Sequence, residues 1–328
     1  MMPLRLTTFY SGEQLPALPG QNVWHSNELF RLYEATKGCT PFLIVAYVDE
    51  RPVAKLLCAV RDRSRWLPFA WARRCIVYGT GECLDDQLDW ETVFGELLVR
   101  MTQEAERHAS VIEYRNLDNA LFAYKQFRLH HYFPVNWLRV RNSLHNLAQP
   151  MERFSPSRRK QVRRGLASGA VCVEAVSQAE VERFARLLKR YYPVRIRRHF
   201  PTEDFFSELG RRPELRRRVK VLLVKYKQRI IGGSVCLLSG RDVYLLFSAG
   251  WRKLYPKQYP GVLAVWGSLE YACRNGYDHL EFIDVGLPFQ KHGYRRFILQ
   301  FGGMQRSTRR WFRLQCPFIN KIMERIYV

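Results

Sequence analysis

The chain has 328 residues, of which 47% are hydrophobic and 14% aromatic, so it can build one large core or two ordinary ones and is not a disordered protein. Residues 1–150 carry 17 Lys and Arg against 16 Asp and Glu, whereas residues 151–328 carry 36 against 14, a net charge of +22. This asymmetry predicts that the second half binds an anionic partner: coenzyme A, a nucleotide-linked sugar, tRNA or an anionic membrane surface.

The start of the chain lacks the apolar core of a secretory signal, and no apolar run reaches the length of a membrane span. The eight cysteines form no C-x-x-C pair, which favours reduced thiols over a structural zinc site. These features together predict a cytoplasmic protein.

The first half predicts the order helix, hairpin, strand, helix and strand. Two β-branched runs on either side of a polar turn at 49–51 indicate the hairpin, and apolar residues that share one helical face indicate the second helix. The predicted elements lie at residues 26–35, 41–60, 75–78, 90–101 and 111–114.

The second half predicts the same order. Ser177 and Glu180 have the spacing of a capping box that begins a helix. The predicted elements lie at residues 177–188, 219–238 with a turn at 227–229, 243–247, 262–273 and 279–283. The repeated order indicates an internal duplication into two tandem α/β domains, 1–150 and 151–328, each a mixed and mostly antiparallel sheet flanked by helices.

A basic helix follows the linker 146–157, and Ser157 is its predicted cap. Its cations, with Arg159 and Arg163 first among them, either bind phosphates of a ligand or form a solvated face. The clusters 195–199 and 216–218 present the same alternative, and a surface or nucleic-acid-binding face is favoured for the second of them.

Three segments carry a family pattern: Asn22–Ser26, the basic helix from Ser157 to Gly165, and the closing segment from Gly276 to Gly303. In these segments and in the order of its elements, the chain resembles the FemAB-like acyltransferases of the GNAT superfamily. The resemblance implies two tandem GNAT-like domains, with donor and acceptor bound by the second, and transfer of an acyl or aminoacyl group to an amine of a cell-envelope precursor or amino sugar.

FemAB relatives use aminoacyl-tRNA and peptidoglycan precursors, whereas other relatives are acetyltransferases. The resemblance therefore implies acyl-CoA or aminoacyl-tRNA as donor, with no tightly bound cofactor. One departure is Ile298, because the family commonly has a lysine there for a phosphate or an oxyanion. Its absence argues against tRNA-dependent peptidoglycan bridge formation, unless Arg295 or Arg296 replaces it.

The turn Tyr259-Pro260-Gly261 begins a helix directly after a strand, where backbone N–H groups can hold donor phosphates. Lys257 adds positive charge just before it. The turn lacks the Gln/Arg-x-x-Gly-x-Gly/Ala pattern, so acetyl-CoA binding in the usual manner is not predicted, and an ordinary strand-to-helix connection remains the alternative.

Acyl transfer to an amine needs alignment, oxyanion stabilisation and removal of a proton. Asp284 is the predicted general base or amine-orienting group, with a loop cap as the alternative. His292 is a candidate proton shuttle near neutral pH, or else a structural histidine. The predicted donor- and acceptor-binding residues are Arg159, Arg163, Lys257, Tyr259, Gly261, Gly286, Lys291, Arg295 and Arg296.

The same residues also allow a second class of function. The charge of the second half and the loss of lysine at Ile298 also fit a non-catalytic protein that binds nucleic acid or an anionic surface on a degenerate transferase fold. That reading predicts salt-sensitive RNA binding without turnover.

Overall fold

The computed structural model describes residues 4–62, 73–117, 119–145, 149–192 and 202–327. The chain divides into two compact units, the first formed by Met1–Trp137 with Ser307–Val328 and the second by Leu138–Arg306. This division differs from a single boundary after residue 150, because the C-terminal segment belongs to the first unit. The second unit has 33 Lys and Arg against 13 Asp and Glu, so the basic excess lies in it.

The described strands and helices follow the predicted order in both halves. The strands are β1 (Arg5–Phe9), β2 (Cys39–Val48), β3 (Arg51–Asp62), β4 (Arg73–Tyr78), β5 (Glu82–Cys83), β6 (Val111–Arg115), β7 (Phe133–Ser143), β8 (Val171–Glu174), β9 (Val219–Tyr226), β10 (Arg229–Ser239), β11 (Asp242–Gly250), β12 (His279–Phe282) and β13 (Met304–Leu314). The helices are α1 (Asn27–Glu34), α2 (Trp90–Glu106), α3 (Tyr124–Leu129), α4 (Pro156–Ala167), α5 (Gln178–Tyr191), α6 (Glu203–Arg211), α7 (Pro213–Arg218), α8 (Pro260–Arg274), α9 (Gly293–Leu299) and α10 (Pro317–Tyr327).

The sheet of the first unit has the strand order β1, β2, β3, β4, β6 and β13. The β4–β6 pair is parallel, and β13 runs antiparallel to β6. Helix α2 buries Phe94, Leu97 and Leu98 against this sheet. Trp311 of β13 is fully buried in the same core and stacks on Phe127 at 4.7 Å between ring centroids.

The sheet of the second unit has the order β7, β12, β11, β10, β9 and β8, with β11 and β12 parallel. Helix α8 covers one face, and its residues from Val262 to Leu269 are buried. Helix α5 packs against β10 and β11. It begins at the predicted capping box, where Glu180 N–H donates to the Ser177 hydroxyl at 3.3 Å, so this prediction is confirmed.

Both hairpins close with the same turn, which supports the inferred duplication. Asp49 and Glu50 have φ of 46° and 64°, and Lys227 and Gln228 have φ of 46° and 63°. Two central residues with positive φ are the mark of a type I′ turn, whose twist matches that of paired strands. The turns are therefore two residues long rather than the predicted three, because Arg51 and the equivalent Arg229 already begin strands.

All eight cysteines are free thiols. Within the described ranges, no helix has the length and apolar character that a bilayer-spanning segment requires.

Candidate functional site

The parallel strands β11 and β12 separate part-way along their length. They pair over three residues, from Asp242 with His279 to Tyr244 with Glu281. Strand β12 ends at Phe282, whereas β11 continues to Gly250 while still paired with β10 on its other side. The hydrogen-bond ladder therefore leaves a gap in the pairing at the carboxyl ends of the two strands, where ligands of α/β sheets commonly bind.

The equivalent strands of the first unit stay together. Strands β4 and β6 pair over five residues, and Gly79 N–H extends the ladder by donating to Arg115 O at 2.9 Å. The nearby His25 is fully buried, and its ring nitrogens lie 3.0 Å from Leu57 N and 3.1 Å from Gly81 N. The open strand pair is therefore a feature of the second unit.

The start of α8 lies directly against the end of β11. A Cβ added to Gly250 would stand 2.3 Å from the amide nitrogen of Gly261, and one added to Gly232 would stand 3.1 Å from Pro260 O. A Cβ at Gly165 of α4 would stand 2.7 Å from Gln258 O. Glycine at these positions lets three backbone segments meet with no side chain between them.

The predicted turn 259–261 does begin this helix. Tyr259 is left-handed, with φ 48° and ψ 49°, and Pro260 is the first helical residue. Tyr259 O accepts from the amides of Val262 and Leu263 at 2.9 and 3.0 Å. Gly261 has no heavy atom within 4 Å of its Cβ position, so space remains beside the N-terminus of the helix.

Two tyrosines meet β11 at Ser248, two residues before Gly250. Tyr192 donates its hydroxyl to Ser248 O at 2.8 Å, and burial raises the pKa of Tyr192 to about 12. Burial also raises the pKa of Tyr294, and the neighbouring Tyr192 and the Asp284 carboxylate raise it further, while the Ser248 side chain counteracts them with a hydrogen bond. Tyr294 therefore keeps its proton across the physiological range, and Asp284 acts on it electrostatically.

The predicted closing segment forms one local structure. Gly286 has φ +85°, and a Cβ there would stand 2.9 Å from the His292 ring. His292 caps α9, because its Nδ1 accepts from Arg295 N–H at 3.3 Å. Asp284 is exposed. The segment thus places Asp284 and Tyr294 within electrostatic reach of each other, and it gives His292 a capping role.

Residues 156–291 match the family model described as an acetyltransferase (GNAT) domain. This part of the chain therefore resembles a GNAT domain. The match confirms the predicted resemblance to the GNAT superfamily, and it covers α4 to β12 of the second unit. No curated protein matches the chain.

Solved structures that are similar over the whole chain show that both halves share the tandem GNAT fold. The crystal structure of FemX is 12% identical with a TM-score of 0.63, over 94% of this chain and 96% of that one. A tandem GNAT protein from the clavulanic acid biosynthesis pathway is 11% identical with a TM-score of 0.57, over 96% and 99%. L-PGS from Bacillus licheniformis is 10% identical with a TM-score of 0.55, over 91% of each chain.

The cations of the second unit that are predicted to bind a ligand fall into two groups. Arg295 donates to the carbonyls of Leu287, Pro288 and Gln290 at 2.7, 3.4 and 2.5 Å, so it orders a loop. Within the described part of the chain, the others make no contact of this kind with the backbone: Arg159 is half-buried, and Arg163, Lys257, Lys291 and Arg296 are exposed. Phosphate binding stays a prediction for this second group.

Ile298 is fully buried in the core of the second unit. The side chain at this position therefore packs against apolar neighbours and does not reach solvent. Of its two suggested replacements, Arg295 is held by backbone carbonyls and Arg296 is exposed. A lysine-like role of Arg296 at this place stays a prediction.

The sequence prediction missed Arg158, the buried cation of the basic helix. Arg158 is 3% exposed, and its guanidinium lies 4.4 and 4.6 Å from the ring centroids of Phe297 and Phe301. It donates to Phe297 O at 3.2 Å and to the Gln300 side chain. Burial lowers its pKa to about 10.

The phase of α4 carried a signal for this burial. Arg158, Val162 and Gly165 are the buried residues of the helix and lie four and three positions apart, which places them on one face. The predicted cap was wrong, because the helix begins at Pro156 and Ser155 accepts from Arg158 N–H at 3.3 Å. Ser157 is exposed within the first turn.

The two remaining basic clusters add less information about ligand binding. Residues 195–199 lie outside the described residues. In 216–218, Arg216 donates to Val176 O and Gly210 O at 2.9 and 2.8 Å, and Arg217 is exposed. Arg216 therefore fixes local backbone, and a nucleic-acid or surface contact of this cluster stays a prediction.

Proposed function

We propose that the protein is an N-acyltransferase that moves an activated acyl group from a phosphate-bearing donor to an amine. The observation that carries the proposal is the separation of β11 from β12 beside the glycine-lined N-terminus of α8. A separated parallel strand pair offers free backbone groups to an extended donor, and a helix N-terminus favours the donor phosphates.

The donor would lie with its phosphates near Gly261 and its acyl group toward the gap. Gly261 has open space at the helix N-terminus, and Lys257 is exposed four residues before it. The excess of 33 Lys and Arg over 13 Asp and Glu in the second unit would raise the local concentration of any polyanionic donor. Acyl-CoA and aminoacyl-tRNA both fit this chemistry.

The transfer step then needs two proton movements. The neutral amine attacks the carbonyl carbon, and the bond from that carbon to the leaving sulfur or oxygen breaks. Asp284 accepts the proton that the amine loses, directly or through water, and Tyr294 donates its hydroxyl proton to the leaving thiolate or alkoxide. Because its pKa is raised, Tyr294 holds its proton at neutral pH, so the proton is present when the leaving group develops charge.

The acceptor class follows from the resemblance rather than from a bound ligand. The FemAB-like pattern in the closing segment favours an amine on a cell-envelope precursor or an amino sugar. The similarity to FemX points the same way, and that to a tandem GNAT protein of clavulanic acid biosynthesis leaves small-molecule amines within the proposal.

The decisive experiment offers the full chain acetyl-CoA or alanyl-tRNA with glucosamine as amine acceptor and follows free thiol or deacylated tRNA together with the acylated product. Transfer with either donor is expected, and Asp284→Asn should reduce it about 100-fold or more. Asp86→Asn is the matched control, because Asp86 is exposed in the first unit. Absence of binding to both donors would refute the proposal.

The non-catalytic alternative makes a different prediction in the same assay. A nucleic-acid binder would retain tRNA without deacylating it, and its affinity would fall steeply with salt. Asp284→Asn would leave that binding unchanged, since a neutralised carboxylate does not weaken a contact with phosphates.

A further inference from the structure

Helix α10 of the first unit is turned the opposite way from an ordinary surface helix. Its buried residue is a polar one, Asn320, which is 4% exposed. Four large apolar side chains of the same helix face solvent: Phe318 is 75% exposed, Ile319 48%, Ile322 42% and Ile326 66%. A surface helix normally directs its apolar stripe to the core, so this arrangement needs a reason.

The contacts of Asn320 fix this orientation. Its side-chain oxygen accepts from Leu314 N–H at 2.8 Å, and its amide nitrogen donates to His131 O at 2.8 Å and to the Glu324 side chain at 2.7 Å. On the same side, Tyr327 stacks with Phe133 of β7 at 5.7 Å. The polar side of α10 is therefore the attached side, and the apolar arc points outward.

Two cations border the apolar arc. Successive helical residues lie about 100° apart, so Phe318, Ile322, Ile326 and Ile319 span an arc of about 100° in that order, and Arg325 and Lys321 lie about 20° and 60° beyond its Phe318 edge. Both cations are exposed. An apolar arc with adjacent lysine or arginine is the pattern of a helix that lies in the plane of a membrane interface.

We propose that α10 docks the protein on an anionic lipid surface, with the apolar arc in the boundary between head groups and acyl chains and Lys321 and Arg325 on lipid phosphates. The long aliphatic parts of both cations can follow the apolar surface while their charged ends stay at the head groups. The helix lies along the surface and does not cross it, because 11 residues reach only about 16 Å.

Charge and area favour lipid over a second copy of the chain. The exposed charges beside the arc, Lys321 and Arg325, are both positive, so two copies of this face repel while an anionic surface attracts. One face of an 11-residue helix offers on the order of 200 Å², whereas a stable protein interface takes about 800 Å² from each partner. A lipid surface needs no complementary pocket and accepts a small apolar face.

The test is co-sedimentation of the full-length protein with vesicles of phosphatidylcholine alone and with vesicles containing about a third phosphatidylglycerol. The intact chain should bind the anionic vesicles and bind neutral ones much more weakly. Ile322→Ser with Ile326→Ser should reduce the partition coefficient about tenfold or more. Leu121→Ser is the matched control, because Leu121 is also exposed in the first unit but lies outside α10.

A double substitution that removes two charges tests the electrostatic part of the proposal separately from the apolar part. Lys321→Gln with Arg325→Gln should weaken binding to anionic vesicles, whereas Lys125→Gln, at another exposed position of the first unit, should not. Equal binding of wild type and the isoleucine variant would overturn the proposal, as would equal binding to both vesicles. A concentration-dependent dimer that the isoleucine variant dissociates would assign the face to a second copy instead.

Discussion

Gly250 and Gly261 lie in contact, with the position of a Gly250 Cβ only 2.3 Å from the Gly261 amide nitrogen. The contact joins the last residue of β11 to the first turn of α8. Gly250→Ala should therefore push the helix start away from the strand. We expect the unfolding free energy to fall by about 1–3 kcal/mol because of overpacking. The donor affinity should fall by a larger fraction of its wild-type value.

Urea unfolding and titration with acyl-CoA measure these two effects. Gly293→Ala is the control for stability, because Gly293 is the first residue of α9 and has no heavy atom within 4 Å of its Cβ position. A Gly250→Ala protein that binds donor as tightly as wild type would show that the start of α8 does not hold the phosphates.

Arg158 supports a prediction that concerns the stability of the protein and not its activity. Its guanidinium lies between two phenylalanine rings, and burial lowers its pKa to about 10, so the buried charge carries a desolvation cost. Arg158→Met should keep the packing and remove that cost, leaving the free energy of unfolding unchanged or higher. Arg158→Ala should lower it by about 2 kcal/mol or more, because it leaves a cavity.

Denaturant unfolding of both variants tests this prediction, with the exposed Arg164→Ala as control at an expected change within about 0.5 kcal/mol. If Arg158→Met is as unstable as Arg158→Ala, the hydrogen bonds to Phe297 O and Gln300 outweigh the desolvation cost.

The elements that the sequence predicts well are those with a local signal. The hairpin at 219–238 follows from two β-branched runs around a polar turn, and α5 follows from the Ser177–Glu180 spacing, because both patterns depend on neighbouring residues only. The strand that is hardest to place is β13. Trp311 alternates with cations as in an edge strand, but its pairing with Tyr114, so far away in sequence, leaves no local signal.

The residues of the candidate site also divide into those with a local sequence signal and those that only the fold brings together. The turn 259–261 and the Asp284–Gly286 segment are visible as motifs, whereas the contact of Gly250 with Gly261 depends on how β11 and α8 pack. Tyr294 follows Gly293 in the predicted segment, but only the fold places it beside Ser248. Arg158 is different again: the prediction missed it, although its helical phase with Val162 and Gly165 carried a signal for its burial.

Tyr294→Phe tests the acid that protonates the leaving group. The variant should lower the transfer rate by about 100-fold or more while leaving donor affinity near that of wild type, because it removes a proton and not a packing contact. The deficit should shrink with donors whose leaving group is more acidic, such as a nitrothiophenyl ester, since these depart without protonation.

Tyr192→Phe is the comparison for this variant. Tyr192 donates to Ser248 O, so its loss should reduce stability and affect every donor equally. A Tyr294→Phe deficit that is the same for all leaving groups would assign Tyr294 a positioning role instead.

His25 provides a pH-dependent test of the first unit. Burial lowers its pKa to about 3 in the folded protein, from an ordinary value of 6.5, and the nearby Lys55 lowers it as well. The unfolded state therefore binds more protons between those values, and the free energy of unfolding should fall as the pH drops from 6.5 toward 3. At pH 5 the expected loss from this one group is about 2 kcal/mol relative to pH 7.

Denaturant unfolding at pH 7 and pH 5 measures the loss, and this range avoids Glu113, whose pKa is near 2 and whose ordinary value is 4.5. His25→Gln should be less stable at pH 7, because Leu57 N–H loses its ring acceptor, yet it should lose less on acidification. His108→Gln, at an exposed position, should keep the full pH dependence. If His25→Gln and wild type lose equal stability between the two pH values, the buried ring is not the group that titrates.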